Sequence, residues 1–159
     1  MTKIINIKDK ETSIKSLSDF KVKDYDPLEV EITNIHLTRL NKFCKTKVFK
    51  NNKLYISSST LFDAMQPVGK RGHHHYHGLT EEEIINSLAS INTQETVYQV
   101  CVDRFLIATS IIAKCGDIII VLIDIDAALH NDCKAKINKI VTLYPKENCK
   151  NYLKKVKKV

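Results

Sequence analysis

Apolar and polar positions follow two different periods along this chain, and the change of period divides it near Glu95. Downstream the period is two, the spacing that puts alternate side chains on opposite faces of a strand. Thr96-Val97-Tyr98-Gln99-Val100-Cys101-Val102 alternates, Asp103-Arg104 turns the chain, and Phe105 to Ile112 continues it. Lys114-Cys115-Gly116-Asp117 reads as another turn. Ile118 to Ile125 is an almost unbroken apolar run, which predicts a strand at the sheet centre with both faces covered. Residues 127–136 read as a connection with at most one helical turn. Ile137 to Pro145 is the last predicted strand, with Pro145 marking its end, and Asn148 to Val159 reads as a basic helix.

Upstream the signals are helical. Leu79-Thr80-Glu81-Glu82-Glu83-Ile84 predicts a capping box between Thr80 and Glu83 and a hydrophobic staple between Leu79 and Ile84. Ile84, Leu88 and Ile91 continue as an apolar stripe, and Asn92 closes the helix. Ser59 or Thr60 is expected to cap a shorter helix through Leu61, Phe62 and Met65, after a short strand over Lys53 to Ser57. At Asp26-Pro27-Leu28-Glu29 a helix-start signal conflicts with the alternation of Leu28, Val30 and Ile32. The expected outcome is a short extended piece and then a helix over about 34–44, with Ile35, Leu40 and Phe43 inward and Leu37 at the border. Residues 1–25 show no sustained period and read as an N-terminal arm with one short strand near Ile4 to Ile7. Residues 26–159 read as one domain. The expected class is α+β: N-terminal helices packed on a four-stranded antiparallel β-meander.

Composition bounds the function. An apolar share of 43% and a charged share of 27% are ordinary for a soluble domain. No apolar run reaches the length of a membrane span, and Met1-Thr2-Lys3-Ile4 does not open a signal peptide. Five cysteines, odd in number and without a Cys-x-x-Cys pair, read as reduced thiols of a cytoplasmic chain. Lys and Arg outnumber Asp and Glu by 25 to 18, for a formal charge of +7. That favours a polyanionic partner, although a lysine-rich chain can be basic without binding anything.

The candidate chemistry sits between Gln66 and Gly78. Four of the six histidines (His73, His74, His75 and His77) follow Lys70 and Arg71, with glycines at 69, 72 and 78. The cap at Thr80 puts His77 three residues before a helix start, near free backbone N–H groups that favour an anion. Thr142 and Tyr144 share one strand face. Imidazoles, cations, a hydroxyl and a phenol suit cleavage of RNA without metal or cofactor. A histidine takes the 2′-OH proton, a second histidine or Tyr144 protonates the leaving oxygen, and Lys70 or Arg71 offsets charge on the phosphorane. Lys150, Lys154, Lys155, Lys157 and Lys158, with His73 and His74, are the candidate RNA-phosphate contacts. Other readings stay open. His73, His75 and His77 could hold zinc if a further ligand came from elsewhere, the loop could be structural, and Thr142 and Tyr144 are common strand residues. His36 reads as a surface or packing histidine.

His77-Gly78-Leu79-Thr80 before a capped helix, with the ending Thr142-Leu143-Tyr144-Pro145 on the last strand, resembles the barnase–EndoU–colicin–RelE-like nuclease superfamily, in its phage-associated branch. The resemblance spans roughly Ile35 to Leu153. It implies an N-terminal helical part on a four-stranded antiparallel sheet, and metal-independent endoribonuclease activity of a toxin or phage effector. His77 or His75 would be the leading catalytic histidine, Thr142 the hydroxyl residue and Tyr144 its aromatic neighbour. RNA is the implied substrate and an antitoxin or immunity protein an implied partner. EndoU proteins draw histidines from two segments plus a lysine, whereas here only His130 offers a second segment. A non-catalytic nucleic-acid- or protein-binding phage protein on the same fold is the alternative.

Overall fold

The structure, a computed structural model, describes residues 3–22, 27–69, 76–129 and 132–159, with backbone alone for 128, 129 and 132–135. Its strands are β1 (Lys3–Asn6), β2 (Glu29–Thr33), β3 (Leu54–Ser57), β4 (Tyr98–Cys101), β5 (Arg104–Ile112), β6 (Ile118–Leu129), β7 (Asp132–Lys146) and β8 (Lys157–Lys158). The helices are α1 (Lys10–Leu17), α2 (Ser58–Met65), α3 (Glu81–Ser90) and α4 (Cys149–Leu153). All eight strands form one mixed sheet in the order β1-β2-β3-β7-β6-β5-β4-β8. β1–β2 and β3–β7 are parallel, and the other neighbours are antiparallel.

The expected four-stranded antiparallel meander under N-terminal helices is therefore corrected. β4 to β7 do run antiparallel to one another, but four further strands flank them. Three come from the N-terminal half, where runs of four or five residues carry only a weak period-two signal. Pairing with β7 is also non-local, setting Leu54 opposite Asn138, and no local pattern reports it. Of the supposed connection over 127–136, residues 127–129 lie on β6 and 132–136 on β7 instead. The expected C-terminal helix is confined to Cys149–Leu153 and gives way to β8. The helix expected over 34–44 is a 3₁₀ helix, Leu37–Phe43, with Leu37 fully buried and Phe43 39% exposed, the reverse of the expected order.

Register shows why the sheet has two unlike faces. Val30, Ile56, Ile140, Ile123 and Phe105 lie opposite one another in one row across five strands, and all are buried. This row faces α1, α2 and α3, whose Leu17, Leu61, Ile84 and Leu88 complete the core. The adjacent row on the other face is Glu31, Tyr55, Lys139, Asp124 and Arg104, bound by the Arg104–Asp124 pair at 2.7 Å. Further along that face α4 covers a smaller cluster in which Cys149, Leu106 and Ile120 are buried, with Tyr144 and Tyr152 packed on them. Residues 3–22 belong to the sheet and core: β1 pairs with β2, and Leu17 and Phe20 are buried.

Candidate functional site

His77 is held from both sides along the chain. Behind it, α2 ends with carbonyls that a helix terminus leaves unpaired. The backbone N–H groups of His77, Gly78 and Leu79 donate to the carbonyls of Asp63, Gln66 and Ala64 at 3.2, 2.7 and 2.8 Å. Ahead of it, Thr80 Oγ1 accepts from the Glu83 N–H at 3.1 Å, and the Glu83 carboxylate accepts from the Thr80 N–H at 2.9 Å. The capping box was legible in the sequence; the return of the loop onto α2 was not.

The placement brings His77 to Tyr144. Their rings stack with centroids 5.2 Å apart and planes 25° from parallel. β3 pairs with β7 only at Asn138, Lys139 and Ile140, so this edge of β7 has no strand partner beyond Ile140 among the described residues. The loop after α2 reaches Tyr144 there. Tyr144 and Tyr152 both pack against the cluster of Leu106, Ile120 and Cys149 beneath α4. Burial pushes the Tyr144 phenol above the ordinary tyrosine pKa, and Tyr152 and Cys149 add to the shift, so the hydroxyl keeps its proton at neutral pH. Thr142 lies on the same face opposite Leu122, half-buried and outside the cleft lining. Tyr76 meets Phe62 edge-on at 6.1 Å.

A cleft of about 500 Å³ opens beside His77. The loop contributes Val68, Tyr76 and His77; the β5–β6 turn contributes Lys114, Cys115 and Asp117; Pro145 and Glu147 close it from β7 and the residue after it. Asp117 also borders a second cavity, with Lys146 and Lys150, and Glu147 a third, with Lys146 and Lys155. The start of the basic tail therefore adjoins the rim of the cleft. Lys150, Lys154, Lys155, Lys157 and Lys158 are all exposed, the last two on β8 at the sheet edge.

Sequence reasoning missed Lys114, Asp117 and Glu147, because neither a four-residue turn nor the residue after a strand shows what it faces. Glu83 was read as a cap alone, yet its second oxygen accepts from the Lys114 N–H at 2.9 Å. Lys70, Arg71, His73, His74, His75 and His130 lie outside the described residues. Among the described residues no cluster of three His, Cys, Asp or Glu side chains could hold a metal ion. No helix among them is long and apolar enough to cross a membrane. Comparisons with protein-family models, curated proteins and solved structures give no match, so the likeness to the barnase–EndoU–colicin–RelE-like nucleases rests on the short motifs alone.

Proposed function

We propose that the chain is a metal-independent endoribonuclease, acting in the cytoplasm as a toxin or phage effector against which an antitoxin or immunity protein would be paired. The observation that carries the reading is the stacking of Tyr144, itself outside the cleft lining, on His77, which lines a cleft that adjoins exposed lysines. In the proposed reaction His77 takes the 2′-OH proton as the 2′ oxygen attacks phosphorus. The bond from phosphorus to the 5′ oxygen breaks, and the Tyr144 phenol supplies the proton that oxygen needs. The products are a 2′,3′-cyclic phosphate and a 5′-hydroxyl. The phenol carries its proton at neutral pH, and the burial that raises its pKa also weakens it as an acid.

The test is cleavage of total RNA by the purified protein in EDTA, with the ends analysed for cyclic phosphate. His77→Ala is expected to slow cleavage by about 10²- to 10⁴-fold, and Tyr144→Phe by a comparable factor, with melting temperatures near the parent's. Parent-rate cleavage by both variants, or loss in EDTA with recovery on zinc, would exclude this mechanism. A second reading, a non-catalytic binder of nucleic acid or protein, draws on the charge of the described cleft lining, which opposes an RNA phosphate held there for chemistry. Glu83, Asp117 and Glu147 there outnumber Lys114. Salt-sensitive RNA binding without any cleavage would select it.

A further inference from the structure

The unequal charge of the cleft gives one residue a particular weight. Of the three carboxylates lining it, Glu83 is committed, one oxygen accepting from the Thr80 N–H and the other from the Lys114 N–H, each at 2.9 Å. The second bond ties the β5–β6 turn to the start of α3, the same helix start that fixes the His77 loop. The turn is closed on itself by Ala113 N–H donating to the Asp117 carbonyl and Gly116 N–H to the Ala113 carbonyl, both at 2.9 Å. The Lys114 backbone is thus set relative to the loop through one carboxylate. Its side chain is exposed and forms no ion pair among the described residues. Asp117 accepts from the Cys115 thiol at 3.6 Å, and Glu147 is exposed.

We infer that Lys114 is the phosphate-contacting cation of the cleft, positioned by Glu83, while Asp117 and Glu147 hold down the cleft's affinity for an anion; this rests on the RNA-cleaving reading. The five tail lysines can substitute for one another, since each adds to a shared field. Lys114 has no such neighbour among the described lining residues. Its removal leaves only negative charges there, so its loss is expected to exceed that of any single tail lysine.

The experiment compares Lys114→Gln, Lys154→Gln, Asp117→Asn and Glu83→Gln with the parent. The probe for binding is an oligoribonucleotide of about ten nucleotides, 2′-O-methylated so that it cannot be cleaved; cleavage is followed on the unmodified oligonucleotide. Lys114→Gln is expected to weaken binding about tenfold, as loss of a charged hydrogen bond does. Lys154→Gln should cost no more than about threefold, and Asp117→Asn should leave binding equal or tighter. Glutamine serves in a capping box, so Glu83→Gln keeps the helix start while replacing one acceptor oxygen by an amide NH₂. It should speed hydrogen exchange at the Lys114 amide and reproduce part of the Lys114→Gln loss. If Lys114→Gln binds no worse than Lys154→Gln while the parent binds and cleaves, the Lys114 assignment is wrong and the nuclease reading stands. If the parent neither binds nor cleaves RNA, the nuclease reading itself falls, and the assignment with it.

Discussion

His77 owes its position to its neighbour as much as to itself. Gly78 stands at φ 63°, in the left-handed region, and its N–H makes the shortest of the three bonds back to α2. A Cβ added there would lie 3.2 Å from Val68 Cγ2, and Val68 is exposed enough to yield. Backbone strain is then the main cost, roughly 1–2 kcal/mol for an L residue in this conformation. Gly78→Ala is expected to lower the melting temperature by that equivalent and to slow cleavage more than stability alone explains, because His77 shifts on Tyr144. An unchanged melting curve would show that the loop adapts and that the α2 bonds do not fix it. At this scale the sequence named both ring partners, His77 from its distance to the cap and Tyr144 from its strand face. It could not show that they meet, because the meeting depends on β3 leaving the β7 edge unpaired beyond Ile140.

Between elements, the acidic first turn of α3 is tied to the N-terminal segment by an ion pair, Lys21 to Glu81, reaching from the 3₁₀ helix Ser18–Lys21. Burial pushes the Glu81 carboxyl upward, but the hydrogen bond from Lys21, its own backbone N–H and the ammonium charge together bring it below its ordinary value. With the folded value depressed, the contribution to stability is fully present above the unfolded value of about 4.3 and is lost as pH falls through the folded one. Lys21 is half-exposed, so the contribution is modest, on the order of 1 kcal/mol or less. Lys21→Gln should therefore narrow the difference in melting temperature between pH 7 and pH 3; an equal difference in parent and variant would show that the pair adds nothing to stability. Legibility among elements followed length and locality. β5 and α3 were readable because each carries its pattern over eight or more residues, and β6 because Ile118 to Ile125 is almost unbroken in apolar residues. β1, β2 and β3 are four or five residues long and take their meaning from partners, and Asn148 at φ 51° opens a helix that lasts only five residues.

For the whole molecule, the formal charge of +7 admits two accounts of the C-terminal lysines. They can hold RNA, or they can guard a sheet edge, since β8 closes the sheet and lysines on an edge strand oppose pairing with another chain. Lys157 and Lys158 lie opposite Gln99 and Tyr98 through backbone pairing, so their side chains can change without breaking the ladder. Replacing Lys154, Lys155, Lys157 and Lys158 together with Gln separates the accounts. If the tail neutralises phosphates, binding weakens and the slope of log K against log salt becomes shallower, by about 0.7 for each single-strand phosphate that the variant no longer neutralises. Lys155 lines a cavity that shares Glu147 with the His77 cleft, which makes that the expected outcome. Edge protection predicts the opposite pair of results: an unchanged salt slope, with self-association appearing in sedimentation as concentration rises. The catalytic rate on saturating RNA should be the parent's in either case, because no tail lysine lines the cleft that holds His77.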